Sequence, residues 1–289
     1  MPDPLIENAP AKVNLTLRVI GRRADGYHDI ESLVAFADFG DRLSFLCGGE
    51  LKLSVQGPGA AQAGEGDDNL VLKAARALAT RRPKLEVGAF HLEKILPVAA
   101  GLGSGSADAA AALRLLARAN KIAPGDPDLR AAAQATGADV PVCLDPCARI
   151  MRGIGEILSE PIALPALPAV LVNPGVAVAT KAVFAGWKPG AAPGAPFAAA
   201  LAEPAERVRL LRQLTAQSND LEKPATALAP VIAEVLATLR SLGGCELARM
   251  SGSGATCFAL FDSLAAARAA ATTLTGQYPQ WWVRATTLR

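Results

Sequence analysis

A glycine-punctuated run, Pro97-Val98-Ala99-Ala100-Gly101-Leu102-Gly103-Ser104-Gly105-Ser106-Ala107-Asp108, opens directly into alanine- and leucine-rich sequence. Glycine accepts backbone dihedrals that a Cβ forbids, so such a run can turn sharply and bring successive N–H groups round to one side. Residues 106–120 are strong helix formers. The loop therefore delivers whatever it holds to a helix start, where the first amides lack partners and the dipole is positive, an arrangement suited to phosphate. The same residues also suit a tight strand-to-helix turn with a serine cap, and the loop alone does not separate the two readings. No Gly-Lys-Ser/Thr follows a four-residue gap, which excludes a P-loop, and the preceding residues do not read as a dinucleotide-binding strand.

Elsewhere the apolar spacing alternates between strand and helix periods. From Ala11 to Val19 the odd positions are apolar and the even ones (Lys12, Asn14, Thr16, Arg18) polar, which predicts a half-buried strand with Lys12 and Asn14 together on its non-core face. Asp25-Gly26 marks a turn ahead of Tyr27-His28. Strands are expected at Leu43–Leu46, Leu51–Val55, Phe90–Ile95, Ala169–Asn173, Ala255–Phe261 and Trp281–Thr287. Helices are expected at Leu70–Arg82 behind the capping run Asp67-Asp68-Asn69, after Asp126-Pro127 with a stop at Gly137, and at Leu264–Leu274. Asp139 then lies just past a helix end, with Val140 restrained by Pro141. A stripe of Leu228, Val231, Ile232, Val235, Leu236, Leu239 and Leu242 predicts one further helix. Proline density from Pro161 to Pro174 suggests a join near residue 160, giving domains 1–160 and 161–289, and the Gly/Pro/Ala-rich tract Gly186–Pro196 reads as a surface loop. The pattern is α+β.

Charge narrows the partners. The 289 residues carry 29 basic and 27 acidic side chains, net +2, with no long run of either sign, so nothing resembles a nucleic-acid footprint. The apolar stretch from Pro161 to Phe184 is broken by prolines, Asn173, Gly175 and Lys181 and is not a membrane span. The start, MPDPLIENAP, lacks a basic region followed by an apolar one. Five scattered cysteines with only two histidines suggest reduced, packed thiols and a cytoplasmic location rather than zinc.

Seven segments together resemble one family, the GHMP small-molecule kinases: APAKVNLTLRVIGRRADGYHDIES, DDNLVLKAAR, PVAAGLGSGSADAA, GADVPVCL, NPGVAVATKAVF, SNDLE and RMSGSGATCFALF, in the family's order from about Ala9 to Phe261. The resemblance implies a two-domain α+β kinase, with a ribosomal-protein-like N-terminal half and a ferredoxin-like C-terminal half. It implies ATP as co-substrate, wrapped by Pro97, Ala99, Ala100, Gly101, Leu102, Gly103, Ser104, Gly105 and Ser106, with Asn69, Leu70 and Lys94 beside the nucleotide. Lys94 as a surface lysine is the alternative. Asp139 resembles the family's catalytic aspartate and Lys12 its partner: phosphoryl transfer needs a hydroxyl relieved of its proton and charge stabilised on the transferring group.

Within the family, Tyr27 and His28, with Phe184 as a second aromatic wall and Thr180 nearby, resemble a cytosine-recognition set, which implies a small alcohol carrying a cytidine diphosphate group and phosphorylated on the 2-hydroxyl of its erythritol part. Asn14 is placed on the substrate hydroxyls, and Asn219-Asp220 fits either structural or substrate-side work. Ser251, Gly252, Ser253 and Gly254 resemble the family's closing loop. Mg²⁺ is implied by ATP chemistry, with Ser106 the candidate contact. Ala99-Ala100 and Ser104 stand where the family often has glycine, and Ala107 where it often has serine, so an altered nucleotide affinity is expected. A mevalonate- or homoserine-type kinase would lack a reason for Tyr27-His28 and Phe184, and a non-catalytic nucleotide-binding module would not need Asp139 or Lys12.

Overall fold

A computed structural model of the chain describes residues 3–189 and 206–289. Its strands are β1 (Leu5–Asn14), β2 (Arg18–Arg22), β3 (His28–Cys47), β4 (Lys52–Gln56), β5 (Gly88–Glu93), β6 (Arg149–Gly153), β7 (Ile157–Leu158), β8 (Leu167–Asn173), β9 (Cys245–Met250), β10 (Cys257–Phe261) and β11 (Trp282–Leu288). Its helices are α1 (Ala60–Ala63), α2 (Leu70–Arg81), α3 (Ser104–Ala119), α4 (Pro127–Thr136), α5 (Val140–Leu144), α6 (Thr180–Gly186), α7 (Arg207–Thr215), α8 (Glu222–Leu228), α9 (Val231–Ser241) and α10 (Leu264–Gln277). Residues 190–196 of the expected surface loop lie outside the described residues.

The chain packs as two compact units, each assembled from separated segments: one from residues up to Lys12, Phe39–Val98 and Gly103–Pro146, the other from Val13–Asp38, Ala99–Leu102 and Cys147 onward. A single cut after residue 160 therefore describes the order of the sequence motifs rather than these packing units.

In the first unit the C-terminal half of β3 pairs antiparallel with β5, from Arg42 opposite Glu93 to Cys47 opposite Gly88, and β4 runs parallel on the far side of β5. α2 meets β4, and α2, α3, α4 and α5 pack on one another, α2 against both α3 and α4. The Asn69 side chain accepts from the Val71 amide and so starts α2, while the Asp126 carboxylate does the same for α4 through the Asp128 amide. Ala109–Ala112 in α3 are wholly buried, and their small side chains let neighbouring helices approach closely around Leu113, Leu115 and Leu116. Burying each such leucine contributes about 1.5–3 kcal/mol.

In the second unit β11, β8, β10 and β9 form an antiparallel series, and the N-terminal half of β3 pairs with β2 and β6. Val170, Val172, Cys257, Ala259 and Phe261 from the strands close on Ile232, Val235, Leu236 and Leu239 of α9 and on Ala267, Ala270 and Leu274 of α10.

Three sequence expectations are corrected. The strand predicted over Ala11–Val19 ends at Asn14 and resumes at Arg18, and its even positions are not solvated: Lys12, Asn14 and Thr16 are buried, each with polar partners. The single helix predicted across Leu228–Leu242 is two, because Pro230 has no N–H to continue α8 and instead precedes α9. Val140 does not escape the helical region ahead of Pro141. It is the first residue of α5, with proline tolerated in the first turn, and Asp139 is the residue that leads that helix.

Candidate active site

The first unit gathers a helix start, an ammonium and a carboxylate. Gly103 takes the left-handed conformation (φ 60°) immediately ahead of α3, which begins two residues earlier than the sequence suggested and places Ser104, Gly105 and Ser106 in its first turn. Lys12, on β1, runs its stem along this glycine: a Cβ at Gly103 would lie 3.1 Å from Lys12 Cε. Its Nζ reaches Asp139 Oδ2 at 2.9 Å, the lysine side chain only 4% exposed and the carboxylate 37% exposed. The pair thus has one buried end and one end open to an incoming group. Ahead of α3 the loop adopts positive φ at alternate residues, Ala99 (52°), Gly101 (77°) and Gly103 (60°), the backbone habit of anion-binding nests. Its neck is closed by Ser104 Oγ, which donates to the Pro97 carbonyl at 3.2 Å. Leu70 packs against the same helix start, its Cδ1 3.4 Å from where a Cβ at Gly105 would stand. Asn69 spends its amide on structure, donating to the Ala63 and Gly64 carbonyls and capping α2.

Lys94 is not a surface lysine. It is 1% exposed and its Nζ is held by Asp41 Oδ2 at 2.6 Å and by Asp108 Oδ2. Burial alone would lower the Lys94 amine, but the two carboxylates outweigh it and hold the amine above its ordinary range. Burial pushes the Asp108 carboxyl up to about 8, against the pull of Lys94 and helped by the repulsion of Asp41.

In the second unit Ser251 and Asn14 interlock. The Asn14 amide donates to Ser251 Oγ at 3.1 Å, Ser251 Oγ donates to the Gly101 carbonyl at 2.8 Å, and Asn14 Nδ2 donates to Ser32 Oγ at 2.7 Å. Asn14 Oδ1 is buried and has no hydrogen-bond partner among the described residues, an acceptor of the kind a ligand hydroxyl satisfies. Asn219 donates through Nδ2 to the Met250 and Gly252 carbonyls at 2.8 Å each, and Asp220 accepts from the Val19 amide. Both side chains are thereby structural, braces for the loop 251–254 and for β2. Thr180 Oγ1 and Ser253 Oγ are hydrogen-bonded at 2.9 Å.

The aromatic set lies in the second unit. His28, not Tyr27, stacks on Phe184, with centroids 5.0 Å apart and planes at 27°, while Tyr27 is 60% exposed at the turn. Burial, with the Arg22 charge behind it, lowers the His28 pKa, which favours the neutral imidazole with its one donor and one acceptor nitrogen. Trp187 packs edge-on to the same imidazole at 5.8 Å. Sequence reading missed it, although Phe184 and Trp187 are spaced one helical turn apart. It also missed Arg249, buried and donating to the Leu15, Leu214 and Gln217 carbonyls; burial lowers its pKa to about 10.

A helix start that can hold phosphate, beside a lysine–aspartate pair, defines a phosphotransferase, and comparison with known proteins agrees. The family model for the GHMP kinases N terminal domain matches residues 69–145 and that for the GHMP kinases C terminal region matches residues 197–280. The chain belongs to the GHMP kinase family. Within it, the chain is 56% identical to a 4-diphosphocytidyl-2-C-methyl-D-erythritol kinase from Bradyrhizobium sp., over 99% of this chain and 97% of that one. It is 57% identical to the protein of that name from Rhodopseudomonas palustris, over 98% and 97%. A crystal structure of 4-(cytidine 5'-diphospho)-2C-methyl-D-erythritol kinase superposes with TM-score 0.76 at 35% identity, covering 98% of this chain and 99% of the other. Homoserine kinase from Cytophaga hutchinsonii, at 21% identity and TM-score 0.73, shares the fold. No described helix is long and apolar enough to cross a membrane.

Proposed function

We propose that this kinase transfers the γ-phosphoryl group of ATP to the 2-hydroxyl of 4-diphosphocytidyl-2-C-methyl-D-erythritol, yielding ADP and the 2-phosphate. The observation that carries the chemistry is the Lys12–Asp139 pair lying against Gly103 at the start of α3. Asp139 Oδ accepts the proton of the attacking hydroxyl as the oxygen bonds to phosphorus and the β–γ bridge oxygen leaves with ADP. Lys12 pairs with that carboxylate and offsets charge on the equatorial oxygens. The loop 97–106 supplies backbone N–H groups to the phosphates, with Asn69 and Leu70 flanking the nucleoside.

Substrate preference rests on the second unit: Tyr27, His28, Phe184 and Thr180 for the cytidine part, Asn14 Oδ1 for a hydroxyl donor, and Ser251–Gly254 as the closing loop. Among the described residues no three acidic, histidine or cysteine side chains are grouped to cage a metal ion. Mg²⁺ keeps most of its waters and needs few protein contacts, and we assign Ser106 in the first turn of α3 as the hydroxyl that would hold it. Bound there, the ion would neutralise charge on the β- and γ-phosphates. The free thiols of Cys47, Cys143, Cys245 and Cys257 support a reducing, cytoplasmic setting. A boundary near residue 160, between the segments that the two family models match, remains our division of the chain into nucleotide- and substrate-side halves.

An ADP-release assay with a panel of alcohols tests the reading. Turnover of the cytidyl compound and none of mevalonate or homoserine is expected; a preparation that phosphorylates mevalonate and ignores the cytidyl compound overturns it.

A further inference from the structure

Beneath the loop that the proposed function assigns to ATP sits a buried group of ionisable side chains that the phosphoryl-transfer mechanism does not use. Asp41, on β3, is 1% exposed and spends both oxygens on the segment leading into the loop: Oδ1 accepts from the Ile95 and Leu96 amides at 2.6 and 2.8 Å, and Oδ2 accepts from Lys94 Nζ at 2.6 Å. Lys94 then passes the connection to Asp108, one turn into α3 on the far side of the loop. Room for the lysine is built in. Gly57 (φ 97°) faces the Lys94 backbone, where a Cβ would stand 2.6 Å from its carbonyl oxygen, and at Gly59 a Cβ would stand 2.7 Å from Lys94 Cγ. Asp108 Oδ1 is buried and without a hydrogen-bond partner among the described residues, so its one polar tie runs through Oδ2 to Lys94.

Two carboxyl groups and one amine out of reach of water are a poor way to add stability, since apolar side chains of similar volume commonly do as well or better. What they add is geometry. The triad joins residues 94–96, where the loop begins, to residue 108, where it has become helix, and the Ser104–Pro97 hydrogen bond closes the neck between. A loop ordered only when its ligand arrives loses that ordering cost from affinity, whereas one held in shape beforehand does not.

We propose that Asp41, Lys94 and Asp108 are positioning residues that lock the two ends of the phosphate loop together, so that nucleotide affinity depends on a triad that never touches the nucleotide. The inference rests on the ATP-binding part of the reading above, and its deciding measurement, ADP binding, needs no acceptor alcohol. Asp108→Ala keeps the helix and leaves Lys94 paired with Asp41, but cuts the bridge to α3. Calorimetric titration of the folded variant with ADP and Mg²⁺ is expected to show a Kd at least tenfold weaker than the parent chain, and KM for ATP rises by a similar factor while KM for the cytidyl alcohol stays within twofold. Asp108→Asn, which returns an acceptor oxygen to Lys94, restores ADP affinity to within threefold. Should the alanine variant not fold, Lys94→Gln severs the same bridge from its other side and the same titration decides. A folded Asp108→Ala or Lys94→Gln chain that binds ADP within twofold of the parent overturns the proposal, as does an asparagine variant no better than alanine. If the parent binds ADP and phosphorylates a different alcohol, the substrate reading falls and this one stands.

Discussion

Removing either member of the Lys12–Asp139 pair stops the same reaction but unsettles the fold unequally. Asp139→Ala leaves the Lys12 ammonium 4% exposed with its carboxylate gone. Stranding one partner of a fully buried pair costs about 3–5 kcal/mol; because the Asp139 end is 37% exposed and water can move in, about 1–3 kcal/mol is the expected loss here. Lys12→Met takes away the buried charge, keeps an apolar stem against Gly103, and leaves a carboxylate that water already reaches, for about 0–1 kcal/mol. In the double variant the stranded ammonium no longer exists, so the two losses do not add, and a coupling of about 1–2 kcal/mol separates the sum of the singles from the double. Urea unfolding of the four proteins reads the stabilities. Coupled ADP release reads the chemistry, where loss of a proton acceptor predicts a fall in kcat of about 10²–10⁴ for Asp139→Ala with ADP binding retained. An Asp139→Ala chain as stable as Lys12→Met, or one keeping kcat within tenfold, refutes the reasoning.

Ala99 holds φ at 52°, a conformation in which a Cβ is strained, so Ala99→Gly is expected to stabilise the chain by about 0.5–1 kcal/mol, read as a higher urea midpoint. Gly101→Ala does the reverse: at φ 77° its Cβ would meet the Ser251 carbonyl oxygen and stand 3.0 Å from the Gly254 amide nitrogen, so KM for ATP and the unfolding midpoint should both worsen. Tyr27→Ala removes a side chain that is 60% exposed, so the unfolding midpoint should shift by no more than about 0.5 kcal/mol while KM for the cytidyl alcohol rises and KM for ATP does not. The Asp108 carboxyl, pushed up to about 8, holds in the folded chain a proton that the unfolded chain has released above about pH 4. Stability therefore declines as pH climbs from about 4 to about 8, and Asp108→Asn should flatten that slope in urea midpoints taken across the window.

Local chemistry was legible where the determinants are neighbours in sequence. Asn69 and Asp126 cap the helices they precede, the glycine run does lead into a helix, and Lys12 does meet Asp139, a pairing that followed from the family resemblance rather than from spacing. What escaped depends on contacts distant in the chain. Nothing beside Lys94 announces that its partners are 53 and 14 residues away, so its burial could not be read. Alternation from Ala11 to Val19 reported the extended runs up to Asn14 and from Arg18 but neither the break between them nor that the polar side would also be covered, because Thr16 bonds to the Leu33 amide and Asn14 to Ser32 only once β3 is in place. Pro230 inside the Leu228–Leu242 stripe was a readable break, overridden by too regular an apolar pattern. His28 on Phe184 joins residues 156 positions apart, and no local signal says which of two adjacent rings will turn inward.

The two glycines that make room for Lys94 have a consequence for heredity in this protein. Gly57 and Gly59 lie in a short turn that no functional motif includes, yet any larger residue there must displace the lysine backbone or its stem. Random mutagenesis scored for lost growth should therefore return hits at codons 57 and 59 as readily as in the glycine run itself, and a tolerant turn at those codons would mean the lysine has somewhere else to go.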